Sequence, residues 1–316
     1  MQQLHPIFAA YLSHLERKGR DPKTTVRNRC ALGRLNGWFD ELGVDPKDVT
    51  EVVLEEYVAW LSATFAPTTA HRETAHVKAA YRYAVRLGTI DKSPAEYIEA
   101  PRVPEEEPEV YSAEELREIR AAIRDDLEEV IFYGLAYGGL RRDELVGLTW
   151  DAVNFEQQFT RVRGKGGKLR RVPLHPVLPE VLAAQLQRRP GSVTVLGKGG
   201  SLRNVNHKLA KLLKRAGVDG GNRPAHRFRK TVATVLAEEG VREDVIDKVM
   251  GWSPTTIRQR YYTRVADGSL YEAILNLYQS DSIERAPQDR LEAPSARQAE
   301  LLNETIRRES LALTAS

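Results

Sequence analysis

The chain has a single cysteine, Cys30, among its 316 residues. One thiol excludes an internal disulfide and any metal cluster built on several thiolates. The sequence also lacks the roughly 20 consecutive apolar residues that cross a membrane, and its first residues lack the basic and apolar regions of a signal peptide. We therefore expect a cytoplasmic protein with no membrane partner.

A large excess of one charge is missing as well. The 47 Lys and Arg residues nearly balance the 44 Asp and Glu residues, and the net charge of +3 identifies no partner by itself. The basic residues are locally concentrated, however, and six of them fall within residues 161–171. Such a stretch suits a surface that faces phosphates, and a solvated basic face is the alternative.

Apolar residues repeat at helical spacing in the first third of the chain, as at Phe8, Tyr11, Leu12 and Leu15. This i, i+3, i+4, i+7 pattern predicts a small bundle of four or five amphipathic helices over residues 1–97. Basic residues occupy the opposite helix faces. Since such faces are usually solvated, they indicate no partner on their own.

A segment of different composition follows the predicted bundle. Residues 100–109 contain three prolines and four acidic residues, which predicts a linker over residues 98–111. A capping-box pattern at Ser112–Glu115 then opens a second domain. We place that domain at residues 112–280.

The second domain is mostly helical with one strand-like interruption. Residues 158–163 and 169–174 flank the glycine-rich stretch Gly164–Gly167, a hairpin signal. The predicted fold class is therefore mainly α with a small β-hairpin, an α+β arrangement. The polar tail, residues 281–316, contains one expected helix around residues 296–311 and is either disordered or exchanged with another subunit.

Two basic residues of the second domain are candidates for binding a phosphate or donating a proton. Arg141 starts a predicted helix, and Glu144 follows three residues later. A guanidinium fork suits a phosphate, and Glu144 could hold that fork from behind; a plain surface arginine is the alternative. Lys165 lies on the predicted hairpin turn, from which a lysine can give a proton to a leaving oxygen.

A third cluster contains His226 and Arg229, whose i, i+3 spacing places them on one face of a predicted helix. A pair at this spacing is usually structural. Phosphoryl chemistry, however, also requires a proton-transfer group beside a group that holds an anion.

The fourth cluster begins at Gly251, which we expect to cap a helix. Trp252 offers an indole N–H donor, and Tyr261 and Tyr262 follow nine and ten residues later. Tyrosines near a helix end are ordinarily packing residues, so this cluster gains meaning only from the other three.

The four clusters together resemble the tyrosine recombinase and phage integrase family. Six residues stand in the order and spacing of that family: Arg141, Lys165, His226, Arg229, Trp252 and Tyr261. The strings that carry the resemblance are Gly-Leu-Arg-x-x-Glu-Leu, Gly-Lys-Gly-x-Lys-x-Arg-x-Val-Pro-Leu, His-x-x-Arg and Gly-Trp-Ser. Each is moderately specific, and four in order argue against coincidence. The first domain resembles the family's helical core-binding domain.

The resemblance implies a site-specific DNA recombinase, or integrase, that cuts and rejoins double-stranded DNA through a 3′-phosphotyrosine intermediate. Arg141 and Arg229 would grip the scissile phosphate, while Trp252 donates a further hydrogen bond or packs the site. Such an enzyme needs no ATP, metal or other cofactor. It works as a homotetramer on two paired sites, sometimes with accessory DNA-bending proteins, and would be associated with the nucleoid.

The resemblance also assigns the proton transfers. Tyr261 would attack the phosphate, Lys165 would protonate the leaving 5′ hydroxyl, and His226 would assist proton transfer. Because the bundle begins close to Met1, we expect a two-domain enzyme similar to chromosome-dimer resolvases or simple integrases.

The sequence departs from the family pattern in two places and leaves one choice open. Many relatives carry histidine at the positions of Lys230 and Trp252. Tyr261 has the commoner family spacing from Trp252, but Tyr262 fits a second spacing that also occurs. A non-catalytic DNA-binding protein and a one-strand topoisomerase of the same fold are the alternative functions.

Overall fold

The computed structural model describes residues 4–105, 107–164, 167–252, 265–275, 277–278 and 294–314. The chain divides into two compact units, Met1–Glu107 and Pro108–Ser316. The division falls inside segment 98–111, which we expect to be a linker.

The described part of the first unit contains four helices, as the sequence predicts. They are α1 (Pro6–Arg17), α2 (Pro22–Leu42), α3 (Glu51–Thr64) and α4 (Pro67–Arg86). Three of them begin with proline, which suits the first helical position because no N–H is needed there and its φ is already helical. The side chains of Asp21 and Thr50 accept hydrogen bonds from the first turns of α2 and α3.

The apolar stripes of these helices form one core. The ring of Phe8 packs 6.5 Å from that of Phe39 and edge-on to Tyr81, at 5.8 Å between centroids. The core also buries a carboxylate, Glu73, whose side chain is 3% exposed and accepts a 2.9 Å hydrogen bond from Nε of Arg34. This pairing satisfies a charge that would otherwise be costly to bury.

The first residues after the bundle belong to the same unit. Nζ of Lys78 donates a 2.7 Å hydrogen bond to the carbonyl of Ile98, and Nδ1 of His71 lies 2.9 Å from the carbonyl oxygen of Pro101. Ile98 is only 1% exposed. The start of segment 98–111 is therefore packed on the helices.

The second unit is mostly helical. Its described helices are α5 (Ala113–Ala121), α6 (Asp126–Ala136), α7 (Arg142–Val146), α8 (Val177–Arg188), α9 (Leu202–Ala216), α10 (Pro224–Glu238), α11 (Glu243–Met250), α12 (Asp267–Leu275) and α13 (Ala296–Thr314). The predicted capping box is confirmed, because Glu115 N donates to Ser112 Oγ and Ser112 N donates to the Glu115 carboxylate. In the described part of the chain, no helix is both long and apolar enough to cross a membrane.

The predicted hairpin is also confirmed. Strands β2 (Phe159–Arg163) and β3 (Leu169–Pro173) pair antiparallel, with Phe159 opposite Pro173 and Arg163 opposite Leu169. A two-residue strand that the sequence pattern does not predict, β1 (Val153–Asn154), extends the sheet beside β2. The fold is therefore mainly α with a three-stranded sheet, as expected from the sequence.

Helix α6 lies at the centre of the second unit. Nearly all of its side chains are buried, and it contacts α7, α8, α9 and α10. After its acidic first turn the helix is apolar on every side, as is typical of a helix in a core. It ends at Ala136, shortly before Arg141, so this buried helix leads into the first chemical cluster.

The predicted tail helix forms as α13 and lies against its own unit. Ala299 and Ile306 are each 4% exposed. The side-chain oxygen of Asn303 accepts a 3.2 Å hydrogen bond from the backbone N–H of Phe155, next to β1. Ala299 and Ile306 of α13 are therefore covered by their own chain.

Candidate active site

Arg141 stands at the N-terminal cap of α7, as the sequence predicts. Its backbone N–H donates a 2.8 Å hydrogen bond to Oε2 of Glu144, and its side-chain Nη1 donates to Oε1 at 2.7 Å. Nη2 donates to the carbonyl of Gly251 at 3.1 Å. These hydrogen bonds hold the Arg141 side chain in place, and it remains 32% exposed to solvent.

The support behind Arg141 is a buried carboxylate. The side chain of Glu144 is only 3% exposed. Burial by itself raises the pKa of Glu144, but the hydrogen bond and charge of Arg170, followed by the bonds from Arg141, outweigh this effect and leave the pKa below its ordinary value. Glu144 is therefore a fixed negative charge at neutral pH.

Arg229 is a buried cation with an unused donor. It lies on α10, is 2% exposed, and donates from Nη1 to the carbonyl of Gly139. Its Nη2 is buried and has no hydrogen-bond partner among the described residues. Burial, reinforced by the charges of Arg141 and Arg170, lowers the pKa of Arg229 to about 9. A buried guanidinium with a free N–H is arranged to receive an anion.

His226 lies one turn before Arg229 in the first turn of α10, as expected from their spacing. Desolvation lowers the pKa of His226, and the positive charges of Lys230, Arg229, Arg223 and Arg141 lower it further. The imidazole is therefore neutral at pH 7 and able to accept a proton.

Trp252 follows the end of α11. Gly251 caps this helix in the left-handed conformation, with φ of 59°, which confirms the predicted cap. The Trp252 side chain is exposed, and the centroid of its ring lies 6.0 Å from the Arg229 guanidinium carbon. The structure thus brings together four of the predicted site residues: Arg141, His226, Arg229 and Trp252.

Three other predicted residues, Lys165, Tyr261 and Tyr262, lie outside the described residues. The strand that leads to Lys165 ends close to the arginines. A Cβ atom built on Gly164 would be 3.8 Å from both Oε1 of Glu144 and Nη1 of Arg170. Gly164, the residue before Lys165, therefore lies beside Glu144 and Arg170.

Arg170 lies in the basic stretch and in the string Gly-Lys-Gly-x-Lys-x-Arg-x-Val-Pro-Leu, but from the sequence it was assigned no role in the site. In the structure its side chain is 9% exposed and lies within the cluster. Both of its Nη atoms donate to the Glu144 carboxylate, Nη2 at 2.9 Å, and Nε donates to the carbonyl of Val249 at 3.2 Å. A signal was present, because Arg170 is in phase with Val172 and Leu174, both of which are buried. Alternate residues of a strand share a face, so this pattern predicts that Arg170 points inward, like Val172 and Leu174.

The arrangement suits a phosphodiester. Three guanidinium groups, on Arg141, Arg170 and Arg229, surround one carboxylate, so the cluster carries two net positive charges. Two of these groups have donors available to an anion, and a neutral imidazole lies nearby. Among the described residues, no group of three or more His, Cys, Asp or Glu side chains is placed to hold a metal.

Comparison with known proteins assigns the family. Residues 109–268 match the Phage integrase family and residues 3–100 match the Phage integrase SAM-like domain. Tyrosine recombinase XerC of Myxococcus xanthus is 28% identical over 285 residues, covering 83% of this chain and 94% of the relative. XerC of Mycobacterium tuberculosis is 30% identical over 292 residues, covering 84% and 95%.

A solved structure shares the fold. The lambda integrase tetramer bound to a Holliday junction superposes with a TM-score of 0.66 at 17% identity, covering 84% of this chain and 81% of the integrase. The chain therefore belongs to the phage integrase family, and it is a tyrosine recombinase.

Proposed function

We propose that this tyrosine recombinase is a site-specific recombinase that cuts and rejoins double-stranded DNA through a 3′-phosphotyrosine intermediate. The observation that carries the proposal is the buried Nη2 of Arg229, which has no hydrogen-bond partner among the described residues. A fully buried, unpaired guanidinium N–H costs stability unless a ligand uses it. Beside it, the guanidinium of Arg141 is partly exposed. A phosphate that links two DNA nucleotides would accept hydrogen bonds from both Arg141 and Arg229.

In this proposal, Arg141 and Arg229 bind the non-bridging oxygens and stabilise the charge that develops on them. Trp252, beside Arg229, packs the phosphate or donates its indole N–H. These groups bind more strongly as negative charge grows on the oxygens, and they therefore favour the transition state over the bound substrate.

The covalent step is balanced without a further reactant. The hydroxyl of Tyr261 attacks phosphorus, the bond to the 5′ oxygen breaks, and a phosphotyrosine ester forms. Neutral His226 assists removal of the tyrosine proton, and Lys165 gives a proton to the departing 5′ hydroxyl. Since one phosphate ester replaces another, the reverse reaction can join a partner strand.

The two units divide the work. We assign DNA gripping to the helical bundle of Met1–Glu107, whose counterpart in the family matches is the SAM-like domain, and catalysis to the second unit. The lambda integrase structure is a tetramer on a Holliday junction. By analogy, we propose that four copies act on two paired sites in the cytoplasm, at the nucleoid, with accessory DNA-bending proteins at some sites.

Tyr261→Phe tests the proposal. A duplex that binds the full chain is selected from random-sequence DNA and nicked, so that cleavage releases a short fragment and traps the covalent adduct. We expect Tyr261→Phe to bind this duplex like the wild type but to form no adduct on a denaturing gel, because phenylalanine has no nucleophilic oxygen.

Tyr262→Phe is the matched control, since it removes the neighbouring hydroxyl, and we expect it to retain the adduct. The reverse result would transfer the nucleophile to Tyr262. A wild-type chain that binds but forms no adduct would support a non-catalytic DNA-binding protein. Relaxation of supercoiled plasmid without any specific site would support a topoisomerase.

A further inference from the structure

Arg170 and Arg141 donate hydrogen bonds to the same two parts of the molecule, the Glu144 carboxylate and the end of α11. Oε1 of Glu144 accepts hydrogen bonds from Nη1 of both arginines. At the end of α11, Arg141 donates to the carbonyl of Gly251 and Arg170 donates to the carbonyl of Val249. A change in Arg170 therefore moves the groups that hold Arg141.

The two arginines also share one negative charge. The two Nη atoms of Arg170 engage both carboxylate oxygens of Glu144, the fork-to-fork geometry that arginine and carboxylate favour. Without Arg170, Arg141 would be the one remaining guanidinium on this carboxylate among the described residues. The same geometry would then draw the Arg141 fork inward and occupy donors that now face outward.

Gly251 leaves the space that Arg170 needs. A Cβ atom at this position would lie 2.6 Å from Cδ and 2.8 Å from Nε of Arg170, far closer than atoms of side chains approach. Its φ of 59° also favours glycine. Gly251 therefore has two roles: it caps α11, and its lack of a side chain leaves room for the Arg170 side chain.

We infer that Arg170 is a positioning residue for DNA strand cleavage: by holding both oxygens of Glu144 and the end of α11, it keeps the Arg141 fork open toward the scissile phosphate. Arg170 itself is enclosed behind Arg141 and has no role in binding DNA. The inference rests on the proposed function. It gives a role to Arg170, which lies in one of the family strings but is not among the six residues to which the resemblance assigns chemistry.

The first test compares Arg170→Gln with Arg215→Gln. Arg215 provides a matched control because it also pairs with a buried carboxylate, Glu128, and donates to a backbone carbonyl, that of Ala122. Single-turnover cleavage of the selected nicked duplex is measured at saturating DNA, and affinity is measured separately by gel shift. We expect Arg170→Gln to cleave about 100-fold more slowly, the usual effect of an ångström-scale displacement of a catalytic group.

In the same test we expect the affinity of Arg170→Gln for the duplex to stay close to the wild-type value. The folded fraction of Arg215→Gln should cleave at the wild-type rate. Cleavage by Arg170→Gln at the wild-type rate, or an equal loss in both variants, would overturn the inference. So would a loss confined to affinity.

A double-mutant cycle separates positioning from an independent role. If Arg170 acts through Arg141, the double variant Arg141→Lys/Arg170→Gln should cleave no more slowly than Arg141→Lys alone. If the two losses multiply, Arg170 acts independently and the inference is wrong.

Gly251→Ala is the second variant if Arg170→Gln does not fold. It retains every charge but displaces Arg170, so it should also slow cleavage without weakening DNA binding. Wild-type cleavage by Gly251→Ala would contradict the inference. Failure of the wild-type chain to form any adduct would instead defeat the proposed function, so the two failures are distinguishable.

Discussion

Replacing Arg229 by methionine should make the DNA-free protein more stable while it removes cleavage. Arg229 is buried, no carboxylate of the described residues is bonded to it, and its pKa falls from 12.5 to about 9. At about 1.4 kcal/mol for each pKa unit, keeping this guanidinium charged costs about 5 kcal/mol. The lost hydrogen bond to Gly139 and imperfect packing of methionine offset part of that gain. We therefore expect the free energy of unfolding to rise by about 2 kcal/mol.

Arg215→Met is the control with the opposite expected sign. Arg215 pairs with Glu128, whose side chain is 4% exposed. Its removal leaves a buried carboxylate unpaired and should lower the free energy of unfolding by about 3 kcal/mol. Urea unfolding of the full chain, followed by circular dichroism, measures both changes.

A loss of stability in Arg229→Met as large as that in Arg215→Met would show that the buried charge of Arg229 is compensated in the free protein. Cleavage of the nicked duplex provides the second measurement. Arg229→Met should lose about 1,000-fold in cleavage rate, as expected when a donor to a developing oxyanion is removed. A stabilised variant that still cleaved normally would show that the buried cation serves another purpose.

Two further predictions concern the second unit. Burial lowers the pKa of His175 to about 4 in the folded protein, whereas in the unfolded chain the imidazole is protonated near pH 6.5. The free energy of unfolding should therefore fall by about 3 kcal/mol as the pH drops from 6.5 to 4, as measured by urea unfolding. The loss should be absent from His175→Gln; an unchanged slope would contradict it. Removal of residues 295–316 should weaken tetramer assembly on paired sites, measured by analytical ultracentrifugation, if the tail is exchanged between subunits. Unchanged assembly would refute the exchange.

Local sequence signals predicted much of the second unit. The capping box at Ser112, the glycine cap at Gly251 and the hairpin around Gly164–Gly167 each depend on residues within a few positions of one another. Such features are encoded by backbone preferences and short-range hydrogen bonds, so they can be recognised without knowledge of the fold.

The contacts that build the site could not be read in this way. Arg170 meets Glu144 across 26 positions and Val249 across 79 positions of the chain. Whether such groups meet depends on how the hairpin, α7 and α11 pack together. The strand periodicity could at most have indicated that Arg170 points inward. The two-residue strand β1 was missed for a related reason, since so short a strand exists only because β2 lies beside it.

The central claim is that a tyrosine of this chain becomes covalently joined to DNA, and peptide mapping of the trapped adduct tests it directly. Trypsin cuts after Arg260 and Arg264 and releases the peptide Tyr261-Tyr262-Thr263-Arg264. After nuclease digestion, tandem mass spectrometry should find a nucleotide 3′-phosphate on Tyr261. The same mass on Tyr262 would change only the identity of the nucleophile, whereas an unmodified peptide from chain incubated with its selected DNA would contradict the account.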